Sequence, residues 1–275
     1  MLITVSINQE NYQADLSQPH CLAIPLNFNG AQPNHFGAPK ALSKTVEVEG
    51  FIGDTHRGGS CNVEAITLTP HCNGTHTESV GHIVNDDIAV ASVLTGELIA
   101  SQLITLGWER AKDSVDSYRP NTENEDKLIT RASLKDKLEN IDSSLLQAVI
   151  IRTLDNPESK KEAIYNAENQ PPFFSVEAME YLVTRGVEHI LVDFPSVDKM
   201  YDEGLLANHR LFWNVDEGTN TLTTLSQPHK TITEMIFVED EIDDGSYLLS
   251  IQIPAFMSDA APSRPVIYPM TKNDA

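Results

Sequence analysis

The sequence contains few cysteines, with three among its 275 residues. Cys21, Cys61 and Cys72 cannot form the disulfide framework of a small secreted protein. Residues 1–13 also lack the basic and apolar regions of a signal peptide, and no run of about 20 predominantly apolar residues is present to span a membrane. We therefore expect a cytoplasmic protein that does not enter a membrane.

Basic residues are scarce as well. The chain has 19 Lys and Arg against 40 Asp and Glu, which gives a formal net charge of −21 at pH 7. A surface this acidic repels phosphate groups, and no cluster of Lys and Arg reverses the charge locally. The composition therefore argues against nucleic acid and anionic membranes as partners and leaves small molecules or other proteins.

Common catalytic motifs are absent from the sequence. It has no G-x-S-x-G elbow, no P-loop, no G-x-G-x-x-G, no C-x-x-C and no H-E-x-x-H. These absences argue against the usual serine hydrolases, nucleotide-binding proteins and H-E-x-x-H metalloproteases.

The residue pattern predicts one α/β domain over residues 1–275 with a β-rich front part. Ser133 and Asp136 form a predicted capping box at a helix start, and Ser175 caps a second helix that Gly186 ends. A polar segment at 113–126 predicts an exposed loop. Short β-branched and apolar runs predict strands at 3–7, 45–48, 64–68, 148–151, 189–192 and 247–253.

The residues with the clearest chemical signal lie between positions 71 and 82. This short segment holds His71, Cys72, His76, Glu78 and His82, and thus three of the nine histidines. A glycine at position 74 allows a tight turn after the predicted strand, so that a thiolate, an imidazole and a carboxylate can converge on one point. Such a ligand set fits a divalent metal, with zinc favoured by the sulfur, and His82 could then act as a general acid or base.

The same segment, CNGTHTESVGH at 72–82, resembles the signature H-x-G-T-H-x-D-x-P-x-H of the metal-dependent cyclase and kynurenine formamidase family. The resemblance extends along nearly the whole chain, in the order that the family has. Its further pieces are 14–17 (ADLS), 151–153 (IRT), 192–198 (VDFPSVD), 208–211 (NHRL), 232–234 (ITE), 253–254 (IP) and 262–264 (PSR).

The resemblance implies a swivelling β/β/α fold, assembly into a homodimer or homotetramer, and hydrolysis of an amide or formamide by a metal-activated water. It places Cys72, His76 and Glu78 at the positions of the first metal ligands. The metal would be zinc, with manganese as an alternative, and one or two ions would be bound.

The resemblance also assigns His82 as the catalytic histidine, and His209 with Glu234 as ligands of a second metal. His209 and Glu234 are 25 residues apart, about double the spacing that the family leads us to expect. We therefore predict an insertion near 213–231.

Three positions depart from the family signature. Cys72 stands where the family has His, Glu78 where it has Asp, and Val80 where it has Pro. Cys and Glu keep the chemistry of a ligand but change its reach, so His71 competes with Cys72 for the first ligand position.

The leading functional hypothesis is an arylformamidase that converts N-formylkynurenine to kynurenine and formate. A related hydrolase or cyclase that opens a lactam such as isatin is the second, and a non-catalytic relative that only binds is the third. The substrate-binding residues are not identified by the sequence. His20, His35 and His56 lie in predicted loops and could line the pocket, but we expect each of them to be exposed. Asp193 and Asp198 flank a strand end and could orient the loop or cap the following turn, and we assign them no catalytic role.

Overall fold

The computed structural model describes residues 1–96 and 98–273. Helices and strands are numbered in chain order. The helices are α1 (Val90–Val93), α2 (Arg131–Leu138), α3 (Val176–Thr184) and α4 (Ala207–Trp213). The strands are β1 (Leu2–Ile7), β2 (Glu10–Asp15), β3 (His20–Cys21), β4 (Leu42–Thr45), β5 (Glu47–Val48), β6 (Phe51–Ile52), β7 (Glu64–Thr67), β8 (His76–Glu78), β9 (Ile99–Leu106), β10 (Glu109–Arg110), β11 (Lys127–Ile129), β12 (Ala148–Thr153), β13 (Phe173–Phe174), β14 (His189–Val192), β15 (Thr231–Glu234), β16 (Gly245–Gln252), β17 (Ala260–Pro262) and β18 (Arg264–Lys272).

One large mixed sheet organises the fold. Its strand order is β1-β2-β18-β16-β9-β12-β14-β15-β8-β17, with β3 paired to β18. The strands β9, β12, β14 and β15 run parallel, whereas β8 pairs antiparallel with both β15 and β17. The expected α/β class is therefore confirmed, and β8 lies near one end of the sheet.

The parallel strands are apolar on both faces because both faces are covered. In β12, Val149 and Ile151 belong to a core cluster with buried residues of α2, α3 and α4. Ala148 and Ile150, which alternate with them, belong to a second cluster on the opposite face with residues of β16. This burial on both faces explains why β12 and β14 read as short continuous apolar runs in the sequence.

Several predicted boundaries differ from the structure by one or two residues, and two of the differences have a clear cause. The helix expected to begin at Ser133 begins at Arg131, because the Thr130 hydroxyl accepts the backbone N–H of Ser133 and is the cap. The strand expected over 45–48 is two short strands that change partner at Val46, because its N–H donates to the Val63 carbonyl next to β7 whereas its carbonyl accepts the N–H of Gly53 next to β6. The segment 114–126 has no helix or strand, as expected for a loop.

None of the described helices combines the length and the apolar character that crossing a membrane requires.

A buried ion pair fastens the end of β12 to the end of β14. The Lys160 Nζ lies 2.8 Å from Asp193 Oδ2, and the same carboxylate accepts the N–H and the hydroxyl of Thr153 at 2.8 Å each. Asp193 is completely buried as a side chain. Burial raises the pKa of Asp193 above its usual range, while Lys160 opposes that rise.

We expect Lys160→Met to lower the free energy of unfolding by roughly 3 kcal/mol at pH 7.5, because it leaves a buried carboxylate unpaired. Because the pKa of Asp193 is raised, the native state binds the proton of the Asp193 carboxyl more tightly than the unfolded state does. The loss of stability in Lys160→Met should therefore shrink as the pH falls to 5. Denaturant unfolding at both pH values measures this. Lys135→Met, which removes an exposed 3.7 Å pair with Glu139, is the control and should cost at most about 0.5 kcal/mol. Equal midpoints for the two variants would contradict the prediction.

Candidate metal centre

Strand β8 presents two candidate ligands on one face of the sheet. His76 and Glu78 are two residues apart, so their side chains point to the same side of an extended strand. In the register of β8 with β15, Glu234 lies directly opposite His76. The His76 Nε2 is 3.3 Å from Glu234 Oε2, and all three side chains are buried.

The loop before β8 fixes the orientation of the His76 ring. Gly74 turns the chain with φ of +138°, a conformation that L side chains rarely adopt. The Gly74 carbonyl then accepts a hydrogen bond from His76 Nδ1 at 3.0 Å. Thr75 anchors the loop, since its hydroxyl accepts the Ile24 N–H at 2.9 Å and donates to the Met235 carbonyl. The proton is thereby placed on Nδ1 of His76, and the lone pair of Nε2 faces the cluster.

Helix α4 brings His209 to the same point. Asp198 accepts the backbone N–H groups of Asn208 at 2.7 Å and His209 at 3.2 Å, and it also contacts His209 Nδ1 at 2.5 Å. The other ring nitrogen, Nε2, lies 2.9 Å from Glu78 Oε1 and 4.0 Å from Glu234 Oε1. The separation of 25 positions in the chain therefore does not keep the His209 and Glu234 side chains apart.

A more exposed edge of the cluster is formed by His71, His82 and Asp259. His71 bridges two carboxylates, with Nδ1 2.9 Å from Glu78 Oε2 and Nε2 2.8 Å from Asp259 Oδ2. The His82 Nδ1 lies 3.5 Å from the same Asp259 oxygen, and the rings of His71 and His82 are 4.2 Å apart. Because these side chains are each 26–35% exposed, a substrate can reach the cluster from this edge.

The electrostatics of the cluster favour a cation. Burial alone would lower the pKa of His71, but the carboxylates of Asp259 and Glu78 raise it to about 10. Burial would also lower the pKa of His209, but the carboxylates of Glu78 and Asp198 raise it well above its usual value. Burial would raise the pKa of Glu78, yet His82 and His209 hold it well below the usual range. The carboxylates are thus neutralised by protonated imidazoles, whose place a metal ion can take.

A metal ion fits the residues present. Among the described residues, three overlapping groups place their ligand atoms close enough to share an ion. The Nε2 of His76 is buried and has no hydrogen-bond partner among those residues, as expected for a nitrogen reserved for a metal. The three groups are His71/His76/Glu78, Glu78/His82/His209 and His71/His82/Asp259.

Cys72 lies beside this cluster but is in none of these groups. It ends a single helical turn, Pro70–Cys72, that places His71 against Glu78 instead. Burial and the nearby Glu234 raise the pKa of the Cys72 thiol, which disfavours the thiolate that binds metals. The geometry therefore favours His71 over Cys72, and the assignment of Cys72 as a ligand stays a prediction.

The structure brings together His76, Glu78, His82, His209 and Glu234, which the sequence nominated as a set.

Two partners of that set were not foreseen. Asp198, given no catalytic role, orients His209, and its position six residues after Val192 in the VDFPSVD piece was the available signal. Asp259 follows Glu78 by 181 positions, and no sequence pattern marks it.

The expectation that three loop histidines are exposed is correct only for His56. His20 is half-buried in β3. His35 is 3% exposed, because a hydrogen bond of 3.0 Å from its N–H to the Cys72 carbonyl holds its loop against residues 71–82.

Comparison with known families gives a match over more than half of the chain. The Cyclase family model, described as "Putative cyclase", matches residues 12–199. The matched range contains the segment from His71 to His82 and Asp198, whereas His209, Glu234 and Asp259 lie beyond it. Their place in the site therefore rests on the geometry.

Curated relatives and solved structures agree with this family. Kynurenine formamidase of Bacillus cytotoxicus is 26% identical over 220 residues, which are 78% of this chain and 83% of that protein. Kynurenine formamidase of Bacillus anthracis is 26% identical over 77% of this chain and 82% of that protein.

Two solved structures share the fold. A "predicted metal-dependent hydrolase" from Bacillus stearothermophilus has a TM-score of 0.56 at 15% identity, over 91% of this chain and 98% of that one. Isatin hydrolase A from Labrenzia aggregata, bound to benzyl benzoate, has a TM-score of 0.58 at 13% identity, over 91% of this chain and 93% of that one.

Proposed function

Since the chain belongs to the Cyclase family, we propose that it is a metal-dependent amide hydrolase whose substrate is an arylformamide such as N-formylkynurenine. The observation that carries the proposal is the convergence of four imidazoles and three carboxylates in one cluster, in which the buried Nε2 of His76 makes no hydrogen bond to a described residue. The curated relatives named kynurenine formamidase support the substrate class.

The ligands of the ion would come from His76, Glu78, His209 and Glu234, with His71 or Cys72 completing the set. A divalent ion bound there would polarise the amide carbonyl and lower the pKa of a water molecule. Zinc suits the nitrogen-rich donor set and manganese the carboxylates, and the overlapping groups leave room for one or two ions.

His82 is placed to move the proton that the reaction requires. Hydrolysis forms a bond between the water oxygen and the carbonyl carbon and breaks the carbon–nitrogen bond, so the leaving nitrogen must gain a proton. Asp259 and Glu78 face Nδ1 of His82 at 3.5 and 4.0 Å. With Nδ1 oriented in this way, Nε2 is the atom through which His82 would pass a proton to the amine.

The proposal extends to the assembly, the location and the domain organisation of the protein. Assembly into a homodimer or homotetramer, a cytoplasmic location, and a single domain with an insertion near 213–231 follow from the family resemblance and the composition. In the structure, the Nε1 of Trp213 at the end of α4 donates to the Lys230 carbonyl at 2.9 Å, which joins the two ends of the segment between these residues.

The proposal is tested with protein purified without chelator or nickel affinity resin. We expect one or two zinc or manganese ions per chain by mass spectrometry, and release of aniline from formanilide and of kynurenine from N-formylkynurenine. Removal of the metal with a chelator should abolish both reactions, and added zinc or manganese should restore them.

Isatin, a lactam, is the comparison substrate in the same assay. Faster opening of isatin than hydrolysis of either formamide would replace the arylformamidase assignment with the lactam hydrolase. Protein that takes up neither metal, or turns over none of the three compounds when loaded, would indicate a fold retained for binding alone.

A further inference from the structure

His35 is a buried histidine whose polar atoms are unused. It is 3% exposed, and neither ring nitrogen has a hydrogen-bond partner among the described residues. A neutral imidazole carries one N–H donor and one acceptor nitrogen, and leaving both unsatisfied in a protein interior is costly. Buried polar groups are almost always paired, so this pair of atoms requires a partner from outside the chain.

The position of His35 is fixed by the backbone around it. Its N–H donates to the Cys72 carbonyl at 3.0 Å, and the N–H of Asn34 donates to the Ala163 carbonyl at 3.0 Å. The side chain of Gln32 adds two hydrogen bonds to the backbone of Ala41, at 2.8 and 3.0 Å. A loop held at these points presents the ring in one place and does not let it turn outward to water.

His35 lies next to the candidate metal centre without being part of it. Its backbone N–H donates to the carbonyl of Cys72, the residue that follows His71, so the His35 loop packs against the segment that carries the candidate ligands. His35 is in none of the groups of described residues that could share an ion. A metal accounts for the unpartnered Nε2 of His76, but it leaves both nitrogens of His35 unexplained.

An exposed aromatic pair adjoins His35. The ring of Phe36 is 4.1 Å from the His35 ring, and Tyr201 meets Phe36 edge to face at 6.1 Å. Phe36 and Tyr201 are 57% and 51% exposed. Phe36 also has φ of +56°, a strained conformation for a bulky residue that persists where the surroundings impose it, commonly at ligand-binding sites.

The loop of Tyr201 links the pair to the other half of the metal centre. Tyr201 lies between Asp198, which orients His209, and α4, which carries His209. Phe36 and Tyr201 therefore come from two segments that reach the cluster, one through the Cys72 carbonyl and one between Asp198 and His209.

From these contacts we propose that His35 binds the substrate by donating a hydrogen bond to its carbonyl oxygen, while Phe36 and Tyr201 contact its aromatic ring. The inference rests on the proposed amide hydrolysis and deepens it, since it selects aromatic amides over aliphatic ones. A ring with one hydrogen-bond donor beside the metal fixes the orientation of the carbonyl, and the exposed aromatic faces supply apolar contact area.

The test uses full-length protein loaded with zinc. His35→Phe keeps a ring and removes both nitrogens, and it should lower kcat/KM for formanilide by about 100-fold, the usual cost of a lost donor to a reacting carbonyl. His35→Gln, whose amide can donate, should recover part of that loss. Phe36→Ala should raise KM for formanilide by about 10-fold, with a smaller effect on N-methylformamide, which has no ring. His56→Phe, at an exposed loop position, is the control and should match the wild type.

Two further readouts separate the possible failures. Zinc content and unfolding temperature should be unchanged in His35→Phe, and binding of acetanilide, measured by calorimetry, should weaken by about 10-fold or more. If zinc is lost with the substitution, His35 is a ligand and the proposal is overturned. If acetanilide and formanilide behave as in the wild type, His35 does not touch the substrate.

A wild-type protein that hydrolyses no amide defeats the proposed function. The acetanilide comparison still decides the role of His35 in that case, because it measures binding without turnover.

Discussion

Replacing His76 with alanine should remove the metal and the amidase activity together. His76 is completely buried, its Nδ1 donates to the Gly74 carbonyl, and its Nε2 makes no hydrogen bond among the described residues but lies 3.3 Å from Glu234 Oε2. Because loss of a residue that merely supports a ligand costs 10–100-fold in metal affinity, loss of this ligand should cost at least about 100-fold. Metal per chain by mass spectrometry and a zinc titration measure the change.

The control for His76→Ala is His56→Ala, an exposed loop histidine that should leave metal content and activity unaltered. The buried position also requires a check of folding, by thermal unfolding of the variant with and without zinc. A folded His76→Ala protein that retains one zinc ion with wild-type affinity would show that the metal centre lies elsewhere.

The same assay decides between His71 and Cys72. His71 bridges Glu78 and Asp259 at 2.9 and 2.8 Å, whereas the Cys72 thiol has a raised pKa and is in none of the groups that the described residues form. We therefore expect His71→Asn to lose metal as His76→Ala does, and Cys72→Ser to keep it. The reverse pattern would establish the cysteine as the ligand that the family signature implies.

The sequence predicted the part of this site that local spacing determines. His76 and Glu78 are two residues apart after a glycine turn, and that spacing alone brings both to one face of β8. The apolar runs of β12 and β14, separated by a capped helix, likewise predict an α/β layer. Such features depend on a few neighbouring residues, so they can be predicted without knowledge of the rest of the fold.

The sequence did not predict the contacts between residues that are distant in the chain. Asp259 reaches His71 only because β17 returns beside β8, so that Ala260 lies opposite Glu78. His35 is buried because its loop crosses under Cys72, although its Gly/Pro/Asn-rich surroundings are typical of an exposed segment. In both cases the decisive contact joins segments whose order in the sheet no local pattern encodes. The family resemblance supplied His209 and Glu234 for the same reason, since their spacing in the chain gives no hint of their 4.0 Å separation.

The second large effect is expected at His82, where glutamine should separate catalysis from metal binding. His82 lies at the exposed edge of the cluster, 3.5 Å from Asp259 and 4.0 Å from Glu78, and glutamine cannot accept and release a proton. Loss of a general acid or base should lower kcat for formanilide by about 10²–10⁴-fold. The metal content should stay at the wild-type level, and KM should change little, because the substrate is held by other groups.

Asp259→Asn provides the graded comparison for His82→Gln. It keeps the size of the side chain and the His82 ring, but it removes the charge that faces Nδ1 of His82 and Nε2 of His71. If Asp259 orients a proton-transferring His82, Asp259→Asn should lie between the wild type and His82→Gln in kcat. Loss of metal in His82→Gln would instead place His82 with Glu78 and His209 as a ligand, and proton transfer would then have to come from another group at this edge, of which His71 is the nearest.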